Sequence, residues 1–348
     1  VTTPHPPESF PRFQAWVEAG RHAEMGYLAT ERNLQRRSDP TEILSECQSI
    51  LVLGIPYTPA GSQQGGVASY AQGDDYHEAL KPRLAALVKF LETAAGHPVP
   101  NRWYTDTGPV LERDLARRAG LGWIGKNSML INPQKGSYFL LAEILLGISL
   151  PPDAPFETDH CGTCTRCLDA CPTACIRLDR TLEAGRCLSY LTIENKGEIP
   201  LDLRPQVGDW LFGCDVCQQV CPWNRFATHP ANQAFVPRED IPPQDPAAEL
   251  SLTPQQFNRK FKNSPVKRAK RRGYLRNVAV ALGNQASPAH ILALSIALHD
   301  PEPLVRQHAA WALGQIGGEE VITTLRQHAE IDTDPAVLGE VWEILARF

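Results

Sequence analysis

The sequence has no apolar run long enough to cross a bilayer. Its longest apolar stretch, YFLLAEILLGISL, spans thirteen residues and is interrupted by Glu143, whereas a membrane-spanning helix needs about 20 apolar residues. The first residues, VTTPHPPESFPRF, have neither a basic start nor a hydrophobic stretch, so we expect no signal peptide. These absences predict a cytoplasmic protein without membrane segments.

Support for disulfide bonds is also missing. The ten cysteines belong to a chain of 348 residues without a secretion signal, and cytosolic thiols stay reduced. Eight of them lie between Cys161 and Cys221, or nine when Cys175 is included. Such crowding indicates metal binding. Cys175 and the distant Cys47 stand beside apolar residues, where a free cysteine usually acts as a small hydrophobic side chain.

The densest cysteine group, CGTCTRCLDACP, has the spacing CxxCxxCxxxCP of bacterial ferredoxins. Three closely spaced thiolates bind one [4Fe-4S] cluster, and the fourth, followed by proline, binds the neighbouring cluster. A second group, GCDVCQQVCPWN, lacks the first cysteine of this pattern, and Cys187 is the available thiol between the groups. We therefore predict one cluster on Cys161, Cys164, Cys167 and Cys221 and a second on Cys171, Cys187, Cys214 and Cys217.

Two zinc sites are the alternative interpretation of these cysteines. Zinc ribbons use paired CxxC knuckles rather than the ferredoxin spacing, so the iron–sulfur interpretation is favoured. Two such clusters transfer single electrons, and the cysteine segment occupies about a fifth of the chain. The remainder must therefore supply a substrate site, a second cofactor or both.

The N-terminal part mixes strand and helix patterns. SILVLGIPY at 49–57 predicts a buried strand, and HEALKPRLAALVKFLETAAG predicts a helix that stops at Gly96. GLGWIG matches the dinucleotide motif GxGxxG, but that motif needs a preceding strand. A helix with Pro109 near its first turn and Gly120 as its C-cap is predicted there instead. The motif is therefore weak evidence for a nucleotide site.

Several segments together resemble the epoxyqueuosine reductase family. They are YTDTGPVLERDLARRAGLGWIGKN, the cysteine groups with CLSYLTIENKG between them, and the shorter MGYL, RSDP and SYAQGDDYH. The resemblance covers nearly the whole chain. It implies an α/β cobalamin-binding domain at 1–155, a ferredoxin-like double [4Fe-4S] domain at 156–235, and a linker with an all-α HEAT-like tRNA-binding domain at 236–348.

The resemblance also implies a reaction. Such an enzyme reduces epoxyqueuosine to queuosine at the wobble position of tRNA, using two electrons and two protons to remove the epoxide oxygen as water. Cobalamin would perform the reduction, fed by the clusters and by an external low-potential electron donor. The chain has no DxHxxG segment, so base-off cobalamin without a histidine ligand is expected. A monomer is also expected.

By the same resemblance, Asp106 in YTDTGPVLER matches the proton donor of the family. To donate at neutral pH, an aspartate needs a pKa well above about 3.9, and burial against the corrin would raise it. The alternative is that Asp106 caps the helix near Pro109. Glu112 and Asp114 are expected to be ordinary first-turn carboxylates of that helix.

Candidate cobalamin contacts come from the family motifs. GKNS at 125–128 offers polar groups after a glycine-rich turn, and other candidates adjoin cluster cysteines. The predicted contacts are Arg37, Ser69, Tyr70, Asp106, Lys126, Asn127, Ser128, Ser189 and Asp215.

One basic stretch stands out in an acidic chain. Residues 258–278 hold nine of the 34 lysines and arginines and no acid, while the whole chain has 39 acidic residues. Such a stretch indicates a polyanion site, and a solvated linker is the alternative. Phe257, Phe261 and Tyr274 beside it either stack on bases or pack inside. The predicted tRNA phosphate contacts are Lys267, Arg268, Lys270, Arg271 and Arg272.

An internal repeat lies in the C-terminal part. GYLRNVAVALGN at 273–284 recurs as PLVRQHAAWALGQ at 303–315, a period of about thirty residues that is typical of stacked helical pairs. Trp311 is predicted to lie in their core. The stretch VPREDIPPQDP at 236–246 is predicted to be a linker.

Two other functional classes share part of this pattern. A corrinoid reductive dehalogenase would use cobalamin and clusters, but such enzymes are exported behind a twin-arginine signal, whereas Arg36 and Arg37 are internal. A non-enzymatic ferredoxin-type electron carrier would leave Asp106 and the basic stretch without a purpose. The tRNA enzyme is favoured over both.

Overall fold

The structure is a computed structural model that describes residues 1–59, 66–225, 227 and 235–347. The strands are β1 (Ser49–Pro56), β2 (Gly66–Val67), β3 (Asn101–Tyr104), β4 (Trp123–Ile124), β5 (Leu130–Ile131), β6 (Phe139–Leu146) and β7 (Trp210–Phe212). The α-helices are α1 (Phe10–Glu18), α2 (Glu31–Ser38), α3 (Tyr76–Ala95), α4 (Glu112–Arg118), α5 (Arg166–Asp169), α6 (Leu188–Ile193), α7 (Arg204–Val207), α8 (Val216–Gln219), α9 (Pro246–Glu249), α10 (Pro254–Lys260), α11 (Lys270–Gln285), α12 (Ile291–Ala297), α13 (Pro303–Ile316), α14 (Glu319–Ala329) and α15 (Pro335–Leu345). None of these helices has both the length and the apolar composition that a bilayer crossing requires.

The chain divides into two compact units that alternate along the sequence. The first comprises the described residues of 1–59, 74–185 and 215–236, and the second those of 60–73, 186–214 and 237–348. The cysteine segment therefore contributes to both units. The domain boundaries at 155 and 235 stay predictions.

An antiparallel sheet in the order β1-β6-β3 forms the centre of the first unit. β6 pairs with β1 along its whole length, with Ser49 opposite Leu146, and β3 places Tyr104 opposite Glu143 on the other side. Helix α4 packs Leu115 on the apolar face of β1 and β6. The strand predicted at 49–57 is confirmed, apart from its last residue.

Of the two helices predicted before and after β3, the first ends where it was predicted to end and the second begins later than predicted. Helix α3 ends at Gly96 as predicted, with Gly96 in the left-handed region at φ 74°. Helix α4 is shorter than predicted, because it begins at Glu112 and not near Pro109. The segment before it forms a tight turn, in which a side chain at Gly108 would place its Cβ 2.5 Å from the Tyr104 ring.

The C-terminal helices of the second unit form the stacked pairs that the repeat predicts. α11 packs on α13, and α13 packs on α15. The glycines of the repeat allow this close approach: a Cβ at Gly283 would lie 2.6 Å from Trp311, and one at Gly314 would lie 2.9 Å from Ile344. Trp311 is buried in this core as predicted.

Aromatic side chains beside the basic stretch also lie inside the second unit. Phe257, Phe261 and Tyr274 are buried and contact one another, with ring centroids 4.9 to 5.9 Å apart. Their predicted alternative role in stacking on bases is therefore wrong, since their faces are covered by the chain's own core.

Candidate functional site

A cavity of about 110 Å³ opens at the end of β3 in the first unit. The loop after β3 supplies Asp106, α4 supplies Glu112 and Arg113, and β6 supplies an apolar wall that includes Phe139 and Leu141. Charged groups from two elements therefore meet against an apolar surface.

Asp106 stands at this cavity with its carboxylate turned outward. Its backbone is left-handed at φ 60°, and its side chain is 67% exposed. The Tyr76 hydroxyl donates a hydrogen bond of 2.7 Å to Asp106 Oδ2, and the Asp106 backbone N–H donates one of 2.7 Å to Glu112 Oε1. The chain itself does not bury Asp106, so the burial expected for a proton donor is not provided by protein atoms.

The capping alternative for Asp106 is wrong. Helix α4 begins at Glu112, and its N-cap position is occupied by Leu111. Asp106 precedes that position by five residues, so its carboxylate has no part in starting the helix.

His77 lies near the same oxygen of the Asp106 carboxylate as Tyr76. Its Nδ1 contacts Asp75 Oδ1 at 2.7 Å, and its Nε2 lies 4.0 Å from Asp106 Oδ2. Although burial acts to raise the pKa of Asp75, hydrogen bonds from His77 lower it overall. The ring of His77 stacks on Tyr76, with centroids 4.1 Å apart. Tyr76 and His77 thus approach the same oxygen of Asp106, and of the two only the tyrosine is within hydrogen-bond distance.

Two carboxyl groups, the buried Glu143 and the half-buried Glu112, lie beside Asp106, and the expectation that Glu112 is an ordinary first-turn carboxylate is wrong. Glu143 is 0% exposed on the central strand β6, and neither of its oxygens meets a hydrogen-bond partner in the described part of the chain. Burial, and then the charge of Glu112, raise the pKa of Glu143 well above its usual value. Burial and the charge of Asp106 raise the pKa of Glu112 to about 7. Sequence reasoning did not single out Glu143, and the one available signal was a lone acid inside an apolar strand.

A second cavity, of about 200 Å³, is surrounded by four cysteines of the first unit: Cys161, Cys164, Cys167 and Cys221. These are the four thiols predicted for the first cluster, and the structure brings them together. The spacing thus predicted a grouping that depends on residues sixty positions apart.

Aromatic side chains shield this second cavity. Trp123 Nε1 donates a hydrogen bond of 3.5 Å to Cys161 Sγ, and its ring contacts those of Phe156, His160 and Trp223. Within the described residues, no three Cys, His, Asp or Glu side chains converge as they would on a single ion. A [4Fe-4S] cluster requires no such convergence, because each thiolate binds its own iron corner. The arrangement fits a shielded cubane.

The four cysteines predicted for the second cluster are divided between the compact units. Cys171 and Cys217 belong to the first unit, while Cys187 and Cys214 belong to the second. All ten cysteines of the chain are described, and none of them forms a disulfide bond. The ligand set of the second cluster stays a prediction.

Cys175 has a closer relation to the cysteine array than predicted. Its Sγ lies 3.5 Å from Cys171 Sγ, and its hydrogen bond lowers the pKa of Cys171 to about 5. Cys175 is buried, as expected of a structural cysteine, and in addition contacts a predicted cluster ligand. Cys47 is also buried, contacts the Ser49 carbonyl oxygen, and has a pKa raised by burial.

The side chains of Lys126, Asn127 and Ser128 donate to backbone carbonyl oxygens of the first unit, and their role as cobalamin contacts stays a prediction. Lys126 Nζ donates to the carbonyl oxygens of Gly162 at 2.8 Å and Cys164 at 2.9 Å. Asn127 Nδ2 donates to the Cys217 carbonyl oxygen at 3.3 Å. Ser128 Oγ donates to the carbonyl oxygen of Arg180 at 2.5 Å. Lys126 and Asn127 thereby support the cysteine loops, and Ser128 supports the turn at Arg180.

The other predicted cobalamin contacts belong to both units. In the first, Arg37 is buried over the Phe13 ring at 5.4 Å, and burial lowers its pKa. Asp215, at the start of α8, is also buried there. The contacts predicted in the second unit are Ser69, Tyr70 and Ser189.

Four of the five predicted phosphate contacts are exposed on the second unit: Lys267, Arg268, Lys270 and Arg272. The fifth, Arg271, is 14% exposed, forms an ion pair with both carboxylate oxygens of Asp300, and donates to the Leu252 carbonyl oxygen. Its guanidinium is therefore committed within the chain, which corrects its prediction as a phosphate contact.

Lys196, which sequence reasoning missed, lies beside the exposed basic residues. Its Nζ donates to the Arg268 carbonyl oxygen at 3.4 Å. Burial lowers the pKa of Lys196, and the positive charges of Arg268 and Lys270 act in the same direction. It stands apart from the basic stretch in the sequence, so only the folded chain reveals its position.

Three family models match separate parts of the chain. The model described as "Epoxyqueuosine reductase QueG, DUF1730" matches residues 37–107. A 4Fe-4S double cluster binding domain matches residues 160–224, and HEAT repeats match residues 270–346.

Whole-chain relatives agree with these models. The epoxyqueuosine reductase of Pseudomonas aeruginosa is 41% identical over 314 residues, covering 87% of this chain and 86% of that protein. The crystal structure of an epoxyqueuosine reductase with a tRNA-Tyr epoxyqueuosine-modified stem loop superposes with a TM-score of 0.90 at 30% identity, over 99% of this chain and 93% of the other. A Bacillus subtilis epoxyqueuosine reductase, with its aspartate catalytic loop swung out of the active site, superposes with a TM-score of 0.89 at 30% identity, over 99% and 93%.

Proposed function

The chain belongs to the epoxyqueuosine reductase family and is an oxidoreductase, and from this we propose that it reduces epoxyqueuosine in tRNA to queuosine. The observation that carries the proposal is the likeness over 99% of the chain to a structure solved with an epoxyqueuosine-modified stem loop. The reaction breaks both C–O bonds of the epoxide, forms a C=C bond and releases water. It consumes two electrons and two protons.

Asp106 is the proposed proton donor of this reaction. Its exposed carboxylate at the cavity is positioned from both sides, by the Tyr76 hydroxyl and by the Glu112 acceptor of its backbone N–H. The aspartate catalytic loop named for the Bacillus subtilis structure supports this role. A carboxyl that is exposed in the chain alone becomes buried when cofactor and substrate cover it, and desolvation then favours its protonated form.

The proposed cofactors are two [4Fe-4S] clusters and base-off cobalamin without a histidine ligand. The shielded cavity of Cys161 and its three partners fits the first cluster. When bound, cobalamin would supply the reducing chemistry at the epoxide. The apolar wall of β6 and the outward-facing Asp106 suit a large apolar ring face. The proposed contacts are Arg37, Ser69, Tyr70, Asp106, Lys126, Asn127, Ser128, Ser189 and Asp215.

The basic residues of the second unit are the proposed tRNA surface. Lys267, Arg268, Lys270 and Arg272 are exposed around the start of α11, where they form a compact positive surface for phosphates. Lys196 extends this surface from a different part of the chain. An external low-potential electron donor, a monomeric state and a cytoplasmic location stay predictions.

Mass analysis of nucleosides tests the proposed function. Epoxyqueuosine-containing tRNA is incubated anaerobically with the reconstituted chain, cobalamin and a strong reductant, and we expect queuosine to appear. Clusters that are reduced and reoxidised while the epoxide stays intact would contradict the proposal and favour the electron carrier. Dehalogenation of a halogenated substrate without epoxide reduction would favour the dehalogenase.

A further inference from the structure

The reduction needs two protons, and Asp106 accounts for one. Glu112 lines the same cavity and reaches Asp106 through the backbone N–H at 2.7 Å. Its side chain is half-buried. The cavity at Asp106 is therefore lined by a second carboxyl group.

Glu143 lies against Glu112 on the side away from solvent, while burial and the charge of Asp106 hold the proton on Glu112. The fully buried Glu143 has no hydrogen-bond partner for either oxygen among the described residues, and the group that faces it is Glu112. Two adjacent carboxyl groups in a poorly solvated place do not both ionise, since each negative charge opposes the other. Glu143 is the more buried of the two and keeps its proton. Glu112, on the cavity side, is the member that titrates.

The charges around Glu112 come from four elements. The charge of Asp106, on the loop after β3, raises the pKa of Glu112, whereas Arg113 on α4 and the neighbouring Glu143 on β6 lower it. Arg37, on α2, also interacts with Glu112 through its charge. Together with burial, this environment places the pKa of Glu112 at about 7, in the range suited to a proton donor at neutral pH.

We propose that Glu112 is a second proton donor of this cavity. Asp106 and Glu112 each give one proton to the departing epoxide oxygen, which leaves as water, while the two electrons come from the external low-potential reductant. Glu143 stays protonated beneath Glu112. The chemistry of this assignment rests on the proposed function, but the proton held at Glu112 does not.

Infrared titration of the full chain with its clusters reconstituted tests the held proton. In the wild type, we expect a protonated-carboxyl band to disappear as the pH rises through about 7. Glu112→Gln should lack this step while keeping an amide oxygen to accept the Asp106 N–H. Glu143→Gln, which imitates a protonated Glu143, should keep the step. Glu78→Gln, at an exposed carboxylate, is the matched control and should leave it unchanged.

Single-turnover rates on tRNA test the use of the proton. In the wild type, we expect the rate to decline between about pH 6 and 8 as Glu112 loses its proton. Glu112→Gln should lower the rate about tenfold or more and show no such decline. Glu143→Gln should have the wild-type rate and the wild-type decline. A Glu112→Gln variant with the wild-type rate and pH profile would overturn the proposal, as would a wild type without the infrared step. Since the infrared step needs no turnover, absence of epoxide reduction by the wild type would overturn the proposed function alone.

Discussion

The Tyr76 hydroxyl donates a hydrogen bond of 2.7 Å to Asp106 Oδ2. Tyr76 is the first residue of α3, a helix of twenty residues, so a rigid element holds one side of the carboxylate. The other support is the Glu112 side chain at the start of α4. The turn that carries Asp106 is thus fixed between two helix starts, which positions the proposed proton donor before any ligand binds.

Removing the Tyr76 hydroxyl should reduce turnover without preventing folding. Tyr76→Phe keeps the ring that stacks on His77 and removes one hydrogen bond to the carboxylate, an interaction that contributes about 0.5–1.5 kcal/mol. We expect the single-turnover rate to fall by roughly twofold to tenfold. Unchanged rates would show that the hydroxyl does not position Asp106.

Glu112 should make the folded chain less stable as the pH rises. The pKa of Glu112 is about 7 when folded, against 4.5 for an ordinary glutamate. Between these values the unfolded chain releases the proton while the folded chain retains it, so the free energy of unfolding falls with increasing pH. The loss is up to about 3 kcal/mol and is complete above pH 7.

Denaturant unfolding at pH 4.5, 6 and 8 checks this dependence on Glu112. Glu112→Gln should be less sensitive to pH than the wild type across this interval, because glutamine does not titrate. Glu78→Gln is the control for loss of an exposed charge. An equal pH dependence in Glu112→Gln and the wild type would refute a raised pKa at Glu112.

The exposed basic residues should determine how tRNA binding responds to salt. Replacing Lys267, Lys270 and Arg272 with alanine should weaken binding and reduce the slope of log K against log salt by roughly 0.7–0.9 for each phosphate that no longer meets a cation. Arg271→Ala is the matched control: it should lower stability by about 3 kcal/mol, because Asp300 is left without its partner, and leave the salt slope unchanged. A triple variant with wild-type salt dependence would place the tRNA surface elsewhere.

Iron content should separate the cluster cysteines from the structural one. Cys161→Ala removes a thiol from the shielded cavity and should lower the iron content from about eight to about four atoms per chain. Cys47→Ala, at a buried cysteine outside the array, should retain all of it. Full iron in Cys161→Ala, or zinc in the wild type, would contradict the cluster assignment.

Local patterns predicted the parts of this protein that depend on neighbours in sequence. The strand at 49–57, the stop at Gly96 and the helical repeat follow from side-chain periodicity and glycine conformation, and the structure contains all three. The grouping of Cys161, Cys164, Cys167 and Cys221 around one cavity was also predictable, since ferredoxin spacing indicates which distant cysteine joins the first three.

The remaining features depend on packing that sequence does not display. Glu143 appears as an interruption of an apolar run, and only the pairing of β6 between β1 and β3 shows that it is buried. Arg271 has the same charge as its neighbours in the sequence, but in the folded chain its guanidinium forms an ion pair with Asp300. Lys126 follows a glycine-rich turn in the sequence, and only the folded chain shows that its ammonium group donates to two carbonyl oxygens of the cysteine loop.

The most direct test of the central claim is single-turnover epoxide reduction by Asp106→Asn, with iron, cobalamin and tRNA binding measured on the same samples. Asparagine preserves the size of the side chain and cannot donate the proton. The account predicts wild-type iron, cobalamin and tRNA binding together with a rate lowered by about 100-fold or more. Wild-type epoxide reduction by the fully loaded variant would contradict it.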